Sequence, residues 1–114
     1  MPEFTKSTIE PQEFEPFTAA ELLDGAADGQ VHWLRRPGSG HSQLAGIYTS
    51  SPGTIRFTLG GDESVHILEG DVHVEFDDGE TLDLTAGDIA SFPAGSTLTW
   101  TMTTPFKEFF VVST

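Results

Sequence analysis

Across residues 63–95 apolar side chains recur at every second position: Val65 and Ile67, then Val72, Val74 and Phe76, then Leu82 and Leu84, then Ile89. Turn-forming clusters interrupt them at Glu69-Gly70-Asp71, Asp77-Asp78-Gly79-Glu80 and Ala86-Gly87-Asp88. Period-two alternation between tight turns predicts short antiparallel strands, each with one face in a core. With Gly70-Asp71 as a two-residue hairpin turn, Glu63, Val65, Ile67, Val72, Val74 and Phe76 share the inner face. His66, Leu68, His73 and Glu75 then share the outer face, with His66 opposite Glu75 as an ordinary polar pair. A bulge near Ser64 would re-aim these side chains.

The pattern extends in both directions. Residues 30–36, 44–49 and 54–59 read as strands, divided by Pro37-Gly38-Ser39-Gly40, Ser50-Ser51-Pro52-Gly53 and Gly60-Gly61-Asp62. Residues 97–103 alternate Thr with Leu98, Trp100 and Met102, and residues 107–112 form the last strand. Upstream the period is lost. Phe4, Phe14 and Phe17 lie in an extended arm and are candidates to dock on an apolar surface of this subunit or its neighbour. Thr18-Ala19-Ala20-Glu21 is a capping-box pattern before Leu22-Leu23, with Gly25 close behind, and predicts one or two turns of helix. The expected architecture is all-β, an antiparallel sandwich or small barrel over residues 30–114, preceded by an arm and short helix over residues 1–29.

Composition narrows the partners. The 114 residues suit one domain with a single core, and nine Phe and two Trp argue against disorder. Five Lys and Arg against eighteen Asp and Glu give a formal charge of -13. Binding to a phosphate backbone needs clustered cations, so neither nucleic acid nor an anionic membrane is an expected partner. No apolar run is long enough to span a bilayer, and the first residues lack the basic-then-apolar layout of a secretion signal, which favours the cytoplasm. There is no cysteine, hence no thiolate or disulfide chemistry.

Two segments carry a family resemblance. From Glu63 to Gly70 the run D-E-S-V-H-I-L-E-G-D-V resembles the first cupin motif from its glutamate onward, and G-D-I-A-S-F-P-A-G, ending at Gly95, resembles the start of the second. With Pro52-Gly53 before a strand, Trp100, and Pro105-Phe106-Lys107, residues 46–112 are similar to the small single-domain bacterial cupins grouped with ureidoglycine aminohydrolase and ethanolamine-utilisation proteins. The resemblance implies a double-stranded β-helix, a jelly-roll-like conical barrel with a cavity inside, and a homodimer.

The family's metal ligands are two histidines and the glutamate of the first motif, and a histidine of the second. Here Glu63 keeps the glutamate, but the histidine positions fall within Arg56-Phe57-Thr58-Leu59 and at Leu98, and Met102 replaces an asparagine. A divalent transition metal needs three or four converging N or O donors. No cofactor is therefore expected and a divalent metal is disfavoured, with His32 and His41 the histidines that are free to restore a site.

By the same resemblance Glu63 lies inside among Val65, Ile67, Leu98, Trp100 and Met102, while Arg56 and Phe57 compete for one inward position and Lys107 matches a lysine of the family pattern. An ionised carboxylate cannot sit unpaired among apolar groups. Glu63 is expected to pair with Arg56, Lys107 or His41, or to have a raised pKa. The candidate ligand-binding set is Glu63, Arg56, Phe57, Leu98, Trp100, Met102 and Lys107, and the catalytic candidates are Glu63 and His41. Three functions follow: a metal-free pocket for a small organic molecule, a metal-dependent or Glu-based hydrolase or isomerase, and a structural homodimer built on the outer face and the Phe-rich arm.

Overall fold

The alternation resolves into eleven strands in the computed structural model, which describes residues 5–17, 21–36 and 42–114. They are β1 (Glu15–Pro16), β2 (Glu21–Gly25), β3 (Gln30–Arg35), β4 (Gln43–Ser50), β5 (Gly53–Thr58), β6 (Asp62–Glu69), β7 (Asp71–Phe76), β8 (Thr81–Thr85), β9 (Ile89–Phe92), β10 (Thr97–Met102) and β11 (Phe106–Ser113). Two sheets face each other, one ordered β1-β3-β4-β11-β6-β9 and the other β2-β5-β10-β7-β8. Neighbouring strands are antiparallel throughout. This is the cupin β-sandwich; among the described residues no helix is long and apolar enough to cross a membrane.

Alternation dictates what each sheet buries. On β10, Leu98, Trp100 and Met102 point into the sandwich while Thr97, Thr99 and Thr101 point out. Val65, Ile67, Val72 and Val74 are likewise buried and His66, His73 and Glu75 exposed. One end of the sandwich is filled by Ile67, Val72, Val74, Phe92, Leu98, Met102 and Phe106, all nearly inaccessible.

Two expectations are corrected. The predicted helix is absent from the described part of its span: residues 21–25 form β2, laddered on β5 with Glu21 opposite Arg56 and Leu22 opposite Ile55, while residues 18–20 lie outside the described residues. A helix of one or two turns is marginal by itself, whereas the edge of β5 offers a ready ladder of backbone partners.

Nor do β6 and β7 form a hairpin. The chain leaves one sheet at Glu69 and enters the other at Asp71, so His66 stands opposite Phe109 and Ile89, and Glu75 opposite Thr99 and Thr81. Gly70 takes this corner at φ 87°, where a side chain would also run into the Pro105 carbonyl. There is no register shift at Ser64; the irregularity on β6 and β11 lies between Lys107 and Glu108.

The arm packs on its own subunit. On the outer face of the larger sheet, Glu10 pairs with Lys107 at 2.9 Å, the Ile9 carbonyl accepts from Lys107 Nζ, and Phe14 meets the ring of His32 edge-on. Phe17 reaches the other side of the sheet, its ring 6.0 Å from Trp33 and 6.1 Å from Tyr48. Phe4 lies outside the described residues.

Candidate functional site

The end of the sandwich opposite the packed core is hollow. A cavity of about 890 Å³ is walled by Trp33 from β3, Leu44 and Tyr48 from β4, Ile55 and Phe57 from β5, Glu63 from β6, Trp100 from β10, and Glu108, Phe110 and Val112 from β11, with Phe17 and residues 26–30 at its mouth. Its walls are mostly apolar, with the rings of Trp33, Tyr48, Phe57, Trp100 and Phe110 among them. Phe57 and Trp100 lie 5.5 Å apart between ring centres, and Trp33 and Phe110 5.8 Å apart in an edge-to-face contact.

Two carboxyls interrupt this apolar lining. Burial pushes the Glu63 carboxyl up to about 7. Glu108 is only 3% exposed, and its carboxyl is held well above the usual carboxylate range, first by burial and then by the charge of Glu63. Burial also raises the Tyr48 phenol, and the charge of Glu108 adds to that shift. Two buried polar atoms on these walls, Glu108 Oε1 and the Trp100 indole Nε1, have no hydrogen-bond partner among the described residues. Such atoms cost stability unless something else satisfies them.

The structure brings together Glu63, Phe57 and Trp100 from the sequence-predicted set. Of the two residues competing for the inward position on β5, Phe57 faces the cavity and Arg56 faces out, where its Nη2 pairs with Asp77 at 3.0 Å. Leu98 and Met102 do not line the cavity, being sealed into the core at 0% and 1% exposure. Lys107 lies under the arm on the opposite face of β11, since Phe106, Glu108 and Phe110 take the inner positions. His41 lies outside the described residues. Glu63 therefore pairs with neither Arg56 nor Lys107, burial raises its pKa, and the expected pairing with His41 falls outside the described residues.

Sequence reasoning missed Glu108, Trp33 and Tyr48. The signal for Glu108 was present: in Phe106-Lys107-Glu108-Phe109-Phe110, Glu108 shares parity with two aromatics, so it turns inward with them.

The residues present do not fit the metal that the cupin motifs imply. The inner positions that would carry histidines hold Phe57 and Leu98. Of the described histidines, His32 bonds the Glu13 carbonyl at 2.8 Å on the outer face, His66 is exposed, and His73 bonds Asp83 at 2.6 Å. Among the described residues no three His, Cys, Asp or Glu side chains converge on one point. Two carboxyls that burial biases toward the protonated form are a poor donor set for a divalent ion.

Comparison with known proteins agrees with this architecture. A family model described as the EutQ-like cupin domain matches residues 38–110. The chain is similar to the crystal structure of a protein assigned as ethanolamine utilization protein Q (EutQ) from Salmonella typhimurium LT2, with 29% identity, a TM-score of 0.73, and 88% of this chain and 77% of that one covered. The EutQ protein of Clostridium difficile shares the fold at 17% identity and a TM-score of 0.68, over 77% of this chain and 69% of that one. A DUF861 family protein from Thermotoga maritima is 26% identical, with a TM-score of 0.55, over 56% of this chain and 73% of that one. A search of curated proteins gave no match.

Proposed function

The chain belongs to the EutQ-like cupin domain family, and from that premise we propose that it binds a small organic molecule in its barrel cavity without a tightly held metal. The observation that carries this reading is a single one. A hollow of about 890 Å³ with largely apolar, partly aromatic walls contains two polar atoms, Glu108 Oε1 and Trp100 Nε1, that the described residues leave unsatisfied. A small-molecule site has this composition: mostly apolar surface with a few polar groups that fix orientation. Glu63, Phe57 and Trp100 serve as contacts, joined by Glu108 and Trp33.

A fragment screen read by tryptophan fluorescence tests the proposal, because both Trp33 and Trp100 line the cavity. The expected result is a saturable change for some fragments that is abolished by the cavity-filling substitution Val112→Trp. A screen with no saturable, V112W-sensitive binder would overturn it.

One observation favours a second reading, a Glu-based acid/base enzyme. A carboxyl near 7 is matched to proton transfer at neutral pH, and Glu63 is such a group. Turnover of a bound fragment that disappears in E63Q would move this reading to the front. In either reading the protein acts as a homodimer, with no nucleic acid or membrane partner, consistent with its charge of -13. The outer face of the larger sheet, where Ile89 is 78% exposed opposite His66, is the proposed contact surface.

A further inference from the structure

We propose that the cavity selects a small organic ammonium ion, held by the carboxyls of Glu63 and Glu108 among the rings of Trp33, Phe57, Trp100 and Phe110. The inference rests on the reading of the cavity as a ligand pocket and adds the chemical class of the ligand.

Charge on the walls is one-sided. The described lining residues include Asp28 at the mouth and Glu63 and Glu108 inside, and none of them is Lys, Arg or His. Three of the five Lys and Arg side chains pair with carboxylates outside the cavity: Arg56 with Asp77, Lys107 with Glu10, and Arg36 with Glu15. Glu108 Oε1 is an acceptor without a donor among the described residues. Aromatic rings add a second attraction for positive charge, because the face of each ring is its negative region and a desolvated site screens little.

Other ligand classes fit worse. An anion would enter beside two carboxyls with no compensating charge among the described lining residues, and a plain hydrocarbon would dehydrate both acids further while satisfying neither. An ammonium ion satisfies the acceptor and neutralises whichever carboxyl ionises. If it also carries an oxygen, that oxygen can accept from the Trp100 Nε1–H.

Binding should be linked to protons. Among the described residues the titratable groups that face Glu63 across the cavity are Glu108 from β11, Tyr48 from β4 and Asp28 from the mouth; β9, which pairs with β6, contributes none, and Arg56 on β5 points away. Glu63 ionises near 7, so a permanently charged ligand binds better as pH rises and expels a proton when it binds below that point.

The experiment titrates the full chain with choline and with n-propylammonium, each against neutral and anionic compounds of similar shape: 3,3-dimethyl-1-butanol and 3,3-dimethylbutyrate for choline, 1-butanol and butyrate for n-propylammonium. The expected result is that an ammonium probe binds about tenfold or more tightly than its neutral counterpart. Its affinity should rise from about pH 6 to about pH 8 and fall about tenfold in E63Q. The control E75Q removes one exposed acid from the outer face and should leave affinity unchanged.

If the neutral or anionic compounds bind as well as the ammonium probes and V112W abolishes all of them, the ammonium inference is overturned while the pocket stands. If ammonium binding survives V112W and E63Q, it is surface attraction to an acidic protein and the inference is equally overturned. If no probe binds and the fragment screen is also empty, both readings fall together.

Discussion

Glu63 and Glu108 occupy neighbouring strands on one inner face, with Phe110 between them. Glu63 stands opposite Val112 on β11 and Glu108 opposite Ile67 on β6, so the two carboxyls lie four residues apart in register and bracket the inward ring of Phe110. Glu108 is buried and Glu63 is partly buried, so both have lost solvation. Burial is the first cause of the raised Glu108 pKa, and the charge of Glu63, acting through an apolar medium that screens weakly, adds to it.

Stability should depend on this pair with a definite sign. Glu63 has a folded-state pKa near 7 against an ordinary value of 4.5, so between those limits the native state holds more protons than the unfolded chain. Its contribution is fully present below about pH 4.5 and is lost as pH rises through 7. Denaturant unfolding of the parent and of E63Q across this range should show the parent losing on the order of 2 kcal/mol relative to the variant. Glu108 is likewise raised, by burial and then by the charge of Glu63, so E108Q should also gain on the parent as pH rises above the ordinary carboxylate range. A parent and variants that run parallel at every pH would show both carboxyls to be solvated.

Divalent metals should leave the protein unmoved. The histidine-bearing positions of the family motif hold Phe57 and Leu98, so added zinc, manganese or nickel at stoichiometric levels should shift the unfolding temperature by less than about 1 °C. Treatment with a chelator should have equally little effect. A saturable stabilisation by one of these ions, lost in E63Q, would restore a metal site.

The corner between the sheets should be the backbone position least tolerant of change. Gly70→Ala places a Cβ at φ 87° and against the Pro105 carbonyl, and should cost about 2–3 kcal/mol in urea unfolding. Gly79 has a similar φ of 94° but open space around it, so G79A should cost only the conformational part, about 1 kcal/mol.

Most strands were legible because each buries only one face, which writes a period of two into the sequence: Leu98, Trp100 and Met102 set against three Thr are the clearest instance. Sheet membership was not. Nothing local distinguishes a Gly70 turn that doubles a strand back from one that carries it across to the opposite sheet, since partner choice depends on β9, β10 and β11. The helix expectation at residues 21–25 failed for a related reason, because a local capping signal was overridden by the edge of β5.

At the site, Glu63 was legible from its motif and Trp100 from its alternation. Glu108 was hidden beside Lys107, whose match to the family pattern drew the reading to the wrong face of β11. Parity counted back from Val112 through Phe110 would have turned Glu108 inward.

Carbon-13 NMR of the glutamate side-chain carboxyls, followed as a function of pH, tests the central claim most directly. The account predicts one resonance, missing in E63Q, with a midpoint near 7, and a second, missing in E108Q, that titrates well above the ordinary carboxylate range. If both resonances titrate with the exposed glutamates in the ordinary range, the two acids are not buried in an apolar cavity, and the ligand site built on them is contradicted.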